Sequence, residues 1–409
     1  LEQSFLRADD AFLRALSTAP THEPTRFAFC RFLHQALQAV ENGRLNLPSA
    51  HLLAQARQLD PGAFSEQVGR SARLSVTTQP AGVEVTLHRH LNRAGYRVPG
   101  EGRVVGSTPL TLSEVRPGPY VLTLQLPQGH TVTASVSLAP GETCVLDWVL
   151  PQRAVEGFVF VVGGGGHVGV DGHLAVRTQS LPLQRFETGG FFLAVAPITV
   201  TEWGEFLRDG PPADTDLTPY LPAGTALAQA DRLPAVGMTY GQIQDYLLWR
   251  SQRDGRRYRL PTEYEWEFAA RSASGDAYPW GELADPRNCG HVGSDSEERP
   301  SPLLDHVRAD QSVFGTAHHA GTVREWTEGG VIIRGGSWRR PFSEAHLCIR
   351  ALAPTDGCAP DLGFRLASDG PSGQSSTTTA VREWVLPALE PTQALPLVSS
   401  VSEMSGEHS

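Results

Sequence analysis

Lysine is missing from this chain altogether: all 34 basic residues among its 409 are arginine. The absence removes whole classes of chemistry, because phosphate-loop, kinase and Schiff-base sites each need a lysine amine at the reacting group. This stretch of chain therefore runs neither a kinase nor a pyridoxal reaction by itself. Positive charge is scarce in general, since 44 acidic residues leave a net charge of −10. The densest basic stretches, Arg253–Arg259 and Arg339–Arg340, are both short. A nucleic-acid binder needs a broad basic face, so no nucleic-acid partner is expected. No apolar run approaches the roughly 18 residues of a membrane span. The start, Leu1-Glu2-Gln3, lacks the basic-then-apolar pattern of a signal peptide. It also lacks Met, the two methionines being Met238 and Met404, so either a longer parent or an unusual start codon is expected upstream. Cysteine is sparse and scattered, at Cys30, Cys144, Cys289, Cys348 and Cys358, with no CxxC pair to make a zinc knuckle or redox motif. Buried, reduced thiols fit a cytoplasmic protein, whereas a Cys348–Cys358 bridge would imply an oxidising compartment.

What is present divides the chain into several domains, as its length suggests. Over residues 1–70, Phe5, Leu6, Phe12, Leu13 and Leu16, then Phe27, Phe29, Phe32, Leu33, Leu37 and Val40, recur at helical spacing. Pro20 and Pro24 separate the two helices, and a third is expected from Ser49 to Leu59. Such pairs resemble tetratricopeptide-like repeats, and a plain helical linker fits the same residues. Residues 73–150 alternate as strands do, at Leu74–Thr78, Val83–Leu87, Tyr120–Leu124, Thr131–Leu138 and Cys144–Leu150. Gly/Pro punctuation between them predicts a small all-β sandwich. Pro80–Val85, Gly106–Leu110 and Pro117–Tyr120 resemble the PEGA domain, a binding or spacer module without chemistry of its own. The stretch His88–Arg103 is longer than that family needs. From Asp369 to Ser409 the Gly/Ser/Thr-rich and then Pro-rich composition predicts a mostly disordered tail.

Residues 154–368 carry the most specific strings. Arg259-Leu260-Pro261-Thr262-Glu263-Tyr264-Glu265-Trp266-Glu267 places a capping threonine three residues before a reciprocal glutamate. Tyr278-Pro279-Trp280-Gly281, Gly321–Thr327, Arg334-Gly335-Gly336-Ser337-Trp338 and Leu362-Gly363-Phe364-Arg365-Leu366 follow in order, with Pro197–Trp203 and Leu233–Val236 upstream. This order and spacing resembles the formylglycine-generating-enzyme, or sulfatase-modifying-factor, family almost end to end. The resemblance implies an α+β C-type-lectin-like fold, rich in loops, behind the β-sandwich and the helical lead-in.

The same resemblance marks where this chain departs from the enzymes. Oxidising members hold copper with two cysteines just after the Gly-Gly-Ser-aromatic turn, soft thiolates being the ligands that select copper(I). The family spacing carried forward from Trp338 falls on Arg340 and Ala345, so copper is not expected. Other members bind iron through a His-x3-His-x-Glu segment, which this chain lacks; His318-His319 is adjacent instead, and His167, His173 and His346 are isolated. A calcium site in the family includes an Asn and a Glu, whose positions are Thr322 and Glu325 here. Calcium is thus the one cofactor left open, with Arg324 or Arg334 as competing partners for Glu325. At the family's substrate groove stand Ser337, Trp338, Arg339, Arg340, Glu344 and Arg350. An arginine-lined cleft with an aromatic floor suits a carboxylate, a phosphate or an acidic peptide, and surface ion pairs account for the same arginines.

Two readings follow. One is a non-catalytic binding or regulatory module, taking a protein or a small anion, within a bacterial protein headed by a serine/threonine kinase upstream. The other is an oxygen-dependent metal oxidoreductase with a rearranged site.

Overall fold

A computed structural model describes residues 2–41 except 20–21, positions 52, 55, 56 and 59, and residues 70–170 except 94–95. It further describes 180–292 except 183, 211–215 and 224, and 310–380 except 355–356 and 372–375. The expected third helix at Ser49–Leu59, His173 and most of the expected tail fall largely outside these residues.

Two amphipathic helices, α1 (Glu2–Thr18) and α2 (Glu23–Glu41), open the chain. Their apolar stripes meet through stacked rings, Phe5 on Phe32 at 5.0 Å and Phe12 on Phe29 at 4.9 Å between centroids. A sandwich follows, made of β1 (Ala72–Gln79), β2 (Glu84–Arg93), β3 (Tyr96–Ser107), β4 (Leu110–Val115), β5 (Gly118–Gln125), β6 (Thr131–Leu138) and β7 (Thr143–Val149). One sheet has the order β3-β2-β5-β6; in the other, β1 lies between β4 and a parallel β7. Alternate residues such as Leu74, Val76, Val85, Leu122, Leu124, Leu146 and Trp148 face inward and are buried, as the period of two requires.

The C-terminal body has short elements and long loops. β8 (Phe158–Val161) pairs with β11 (Phe191–Ala194), whose other edge takes β16 (Ala367–Asp369), so the body's entry and exit lie in one sheet. β9 (Gly164–Val168) and β10 (Gln184–Thr188) form a hairpin beside it. Three helices follow: α3 (Val200–Asp209), α4 (Tyr240–Asp254) and α5 (Glu263–Arg271). Each starts on a capping box, Thr199 with Glu202, Thr239 with Gln242 and Thr262 with Glu265, which satisfies two otherwise orphaned amides per helix. A sheet of order β14-β13-β12-β15 completes the body, from β12 (Arg324–Trp326), β13 (Ile332–Arg334), β14 (Arg350–Leu352) and β15 (Leu362–Gly363).

Two features go beyond the sequence expectation. The stretch His88–Arg103, longer than the resembled family needs, continues β2 and begins β3, two strands paired antiparallel. Within the expected tail, Ser376–Ala380 form β17, which returns to pair antiparallel with β7 at the edge of the sandwich. Sandwich and body also share apolar packing, because Phe160, Val162 and Phe192 join the sandwich's core cluster. No helix among the described residues is long and apolar enough to cross a membrane.

Candidate functional site

The turn after β13 carries most of the expected groove residues. Gly335 has φ +86°, and a Cβ on Gly336 would stand 2.3 Å from the carbonyl oxygen of Ala320. Glycine at both places lets the turn lie against residues 319–322. That approach buries Ser337 and Trp338, each 1% exposed. Trp338 fills a small cluster with Val236 and Val323; it is a core residue, not the floor of a cleft. Ser337 Oγ donates to Oδ2 of Asp361 at 2.7 Å. Arg324 grips the same carboxylate with a fork, Nε to Oδ2 at 3.0 Å and Nη2 to Oδ1 at 2.6 Å. Arg340 Nε lies 3.4 Å from that Oδ2 and 3.9 Å from Glu344. Burial alone would raise the Asp361 pKa, but the bonds and charge of Arg324, with Ser337 and Arg340, hold the carboxyl below its ordinary value. Asp361 is therefore an ionised hub. Ser337 and Arg340 gather at it, Glu344 reaches only Arg340, and Arg339 is exposed. Arg350 is not part of the group. Its guanidinium is pinned to Glu263 on the first turn of α5, at 2.7 and 2.9 Å.

The aromatic stack next to the hub comes from elsewhere and is largely buried. Tyr278 stacks on Trp280 and on Phe342, with centroids 5.0 and 5.4 Å apart. His346 packs on Tyr278 and His291 on Phe342. The Val292 amide donates to the Arg340 carbonyl at 2.9 Å, tying the hub to this ladder. Asp361 and Phe342 were not singled out from the sequence. Asp361 stands one position before a motif read as scaffold, and Tyr278 lies inside another, so the signal was position beside a motif.

Beneath lies a fully buried centre. Both oxygens of Glu325 accept from Arg365, Nε and Nη2 each at 2.6 Å, and both side chains have 0% exposure. The remaining Arg365 hydrogens reach carbonyls, Ala317 at 2.8 Å among them. His319 packs edge-on against Trp266 at 4.8 Å and pairs with Thr316 Oγ1 at 2.8 Å. Burial, with Arg365 nearby, drives its pKa well down and keeps it neutral. Asp310 accepts the amides of His319, Ala320 and Gly321, and burial pushes its pKa up to about 7. The adjacent histidines are thus packed into the core.

Against this geometry, the sequence profile of the sulfatase-modifying factor enzyme 1-like domain matches residues 149–370, and that of the PEGA domain matches residues 91–154. The chain belongs to the sulfatase-modifying factor enzyme 1-like family. Among curated relatives, the inactive C-alpha-formylglycine-generating enzyme 2 of Bos taurus is 30% identical over 168 residues, covering 36% of this chain and 53% of that protein. The serine/threonine-protein kinase Pkn1 of Chlamydia trachomatis is 26% identical over 259 residues, covering 54% and 39%. Hercynine oxygenase of Mycolicibacterium smegmatis is 26% identical over 256 residues, covering 53% and 57%. The chain spans about half the length, or less, of the relatives it matches.

The family's metals can be tested on the side chains present. At the positions that the family spacing assigns to the copper ligands, Ala345 is buried with Ala277, Tyr278, Trp280 and Ala320, and Arg340 is a cation 3.4 Å from Asp361. Neither offers a soft ligand. Cys348 and Cys358 are both free thiols, so no bridge joins them. Cys289 packs against the same cluster as Ala345, and burial pushes its thiol far above the ordinary range, opposite to what a reactive thiolate needs. For calcium, Glu325 is paired with Arg365, not with Arg324 or Arg334, and its oxygens are both used. Thr322 has φ +69° and its Oγ1 lies 3.1 Å from His318 Nδ1. These residues do not fit a calcium ion. Among the described residues, no three of His, Cys, Asp and Glu are grouped to hold a metal.

Proposed function

We propose that this chain is a non-catalytic, ligand- or protein-binding member of the sulfatase-modifying factor family, acting as the regulatory part of a bacterial serine/threonine kinase. The observation that carries this reading is the pair Arg340 and Ala345. Where the family's oxidising members would place two thiolates, one side chain is a cation tied to Asp361 and the other is a buried methyl group. The match to Pkn1 supports a kinase upstream, and the absence of lysine requires any kinase catalysis to lie outside this chain. Five free cysteines fit a reducing, cytoplasmic setting.

Two adjacent cations, the exposed Arg339 and the 40% exposed Arg340 side chain, shortly precede in sequence Phe342, whose ring stacks on Tyr278. Such a surface suits a carboxylate on an extended peptide, since arginine pairs with carboxylates through forked bonds. The test is fluorescence anisotropy of the full chain with labelled hexapeptides carrying glutamate or, as controls, glutamine. Saturable, salt-sensitive binding of the glutamate peptides is expected, weakened about tenfold by Arg339→Ala with Arg340→Ala, as for loss of one charged hydrogen bond. Equal binding of glutamine peptides, or no change in the variant, contradicts the reading.

A further inference from the structure

The hairpin of β2 and β3 reaches further than its sheet. β2 pairs with β5 only from Glu84 to Arg89, while its pairing with β3 continues to Arg93 opposite Tyr96. The outer part is a two-stranded ribbon, and such ribbons are marginal unless something packs on them. Here the C-terminal body does. The Tyr96 backbone bridges antiparallel to Gly281, and the Arg97 amide donates to the Trp280 carbonyl at 2.6 Å. The Tyr96 hydroxyl donates to Asp285 Oδ2, and its ring packs on the cluster of Ala277, Tyr278, Trp280, Ala320 and Ala345. Arg97 forks onto Asp276, Nε to Oδ2 at 3.0 Å and Nη2 to Oδ1, with side-chain exposures of 2% and 6%.

Main-chain bonds to an extended segment, a ring in an apolar cluster and a forked arginine–carboxylate pair are together the elements by which a body reads an extended peptide. The body also favours a cation at this place, because Asp276 is only 4% exposed and the neutral Ser274 hydroxyl that donates to it at 2.6 Å does not balance a buried charge. We propose that the edge from Asp276 to Asp285 is a peptide-binding site for an extended tyrosine–arginine pair, filled in cis by Tyr96 and Arg97 of the sandwich. The site borders the cluster around Ala345 but does not depend on the binding role assigned to Arg339 and Arg340, and it stands whether or not the body carries catalysis. A tethered ligand works at an effective concentration in the millimolar range, so it excludes a weak free competitor until the hairpin is weakened.

The test uses the full chain, wild type and with Tyr96→Ala and Arg97→Ala together, titrated against a labelled synthetic peptide of residues 88–103. The double variant is expected to bind the peptide saturably and at least about tenfold more tightly than wild type, consistent with release of a cis competitor. A peptide with alanine at both positions is expected to bind neither chain. Should the double variant lose cooperative thermal unfolding, Arg97→Gln replaces it, with the same order expected. The proposal is overturned if a folded variant binds no peptide, if wild type binds equally well, or if the alanine peptide binds as well as the native one.

Discussion

At the scale of single residues, Glu325 and Arg365 show how this body spends its charges. Two ions have been taken wholly out of water, and each hydrogen-bonding position of the guanidinium has a partner. Removing one member leaves the other as an uncompensated buried charge, which costs about 3–5 kcal/mol. Arg365→Met is expected to lose that much in urea unfolding, and millimolar calcium is expected to leave the wild-type midpoint unchanged. A loss below about 1 kcal/mol would show that the pair is worth no more than a surface ion pair, and a calcium-dependent rise would restore the family's ion to this site. The pairing was not legible in the sequence. Glu325 has arginines one position away and nine positions away, but its partner stands in the strand-end motif forty residues on, brought there by the parallel pairing of β12 with β15.

At the scale of elements, period and punctuation carried most of the information. The strands of the sandwich alternate, and the threonines before α3, α4 and α5 announce their caps with a Glu or Gln three residues later. β3 was not among the strands expected from alternation, since Pro99, Gly100 and Gly102 interrupt the apolar pattern. Their use is different, since a Cβ on Gly102 would stand 2.4 Å from the His88 ring across the hairpin. The same hairpin carries a pH dependence. His90 is 3% exposed, and burial, with the Arg97 cation beside it, lowers its pKa to about 4, Asp276 opposing and His88 adding to the effect. Unfolded, the ring takes its proton near 6.5, so between these values the unfolded chain holds more protons and stability falls as pH drops. The loss is about 1.4 kcal/mol per pH unit over that window. His90→Gln is expected to flatten the urea-midpoint profile between pH 6.5 and 4 relative to wild type. Parallel profiles for the two would mean that the ring titrates normally.

At the scale of the whole molecule, ordered motifs sufficed to recognise the body, whereas the surface of the site was not recoverable from them. Trp338 sits beside groove residues in sequence, yet the glycine turn rotates it into the core. Tyr278 and Phe342, more than sixty residues apart, form the aromatic stack in its stead, with Tyr278 buried and Phe342 partly so. Arg350 shares a strand with nothing at the hub and answers to Glu263. Spacing locates residues along a strand or helix; it does not say which loops meet, and this fold is mostly loops. The family spacing assigns to Arg340 and Ala345 the positions on which catalysis would turn, and the proposed binding role rests on that assignment. The direct test is copper content. The purified full chain is loaded anaerobically with copper(I), stripped with a competing chelator and assayed for metal per chain. Copper well below one atom per chain is expected, unchanged by Cys289→Ala or Cys348→Ala. One tightly held atom per chain, lost in either variant, would contradict the binding-module account.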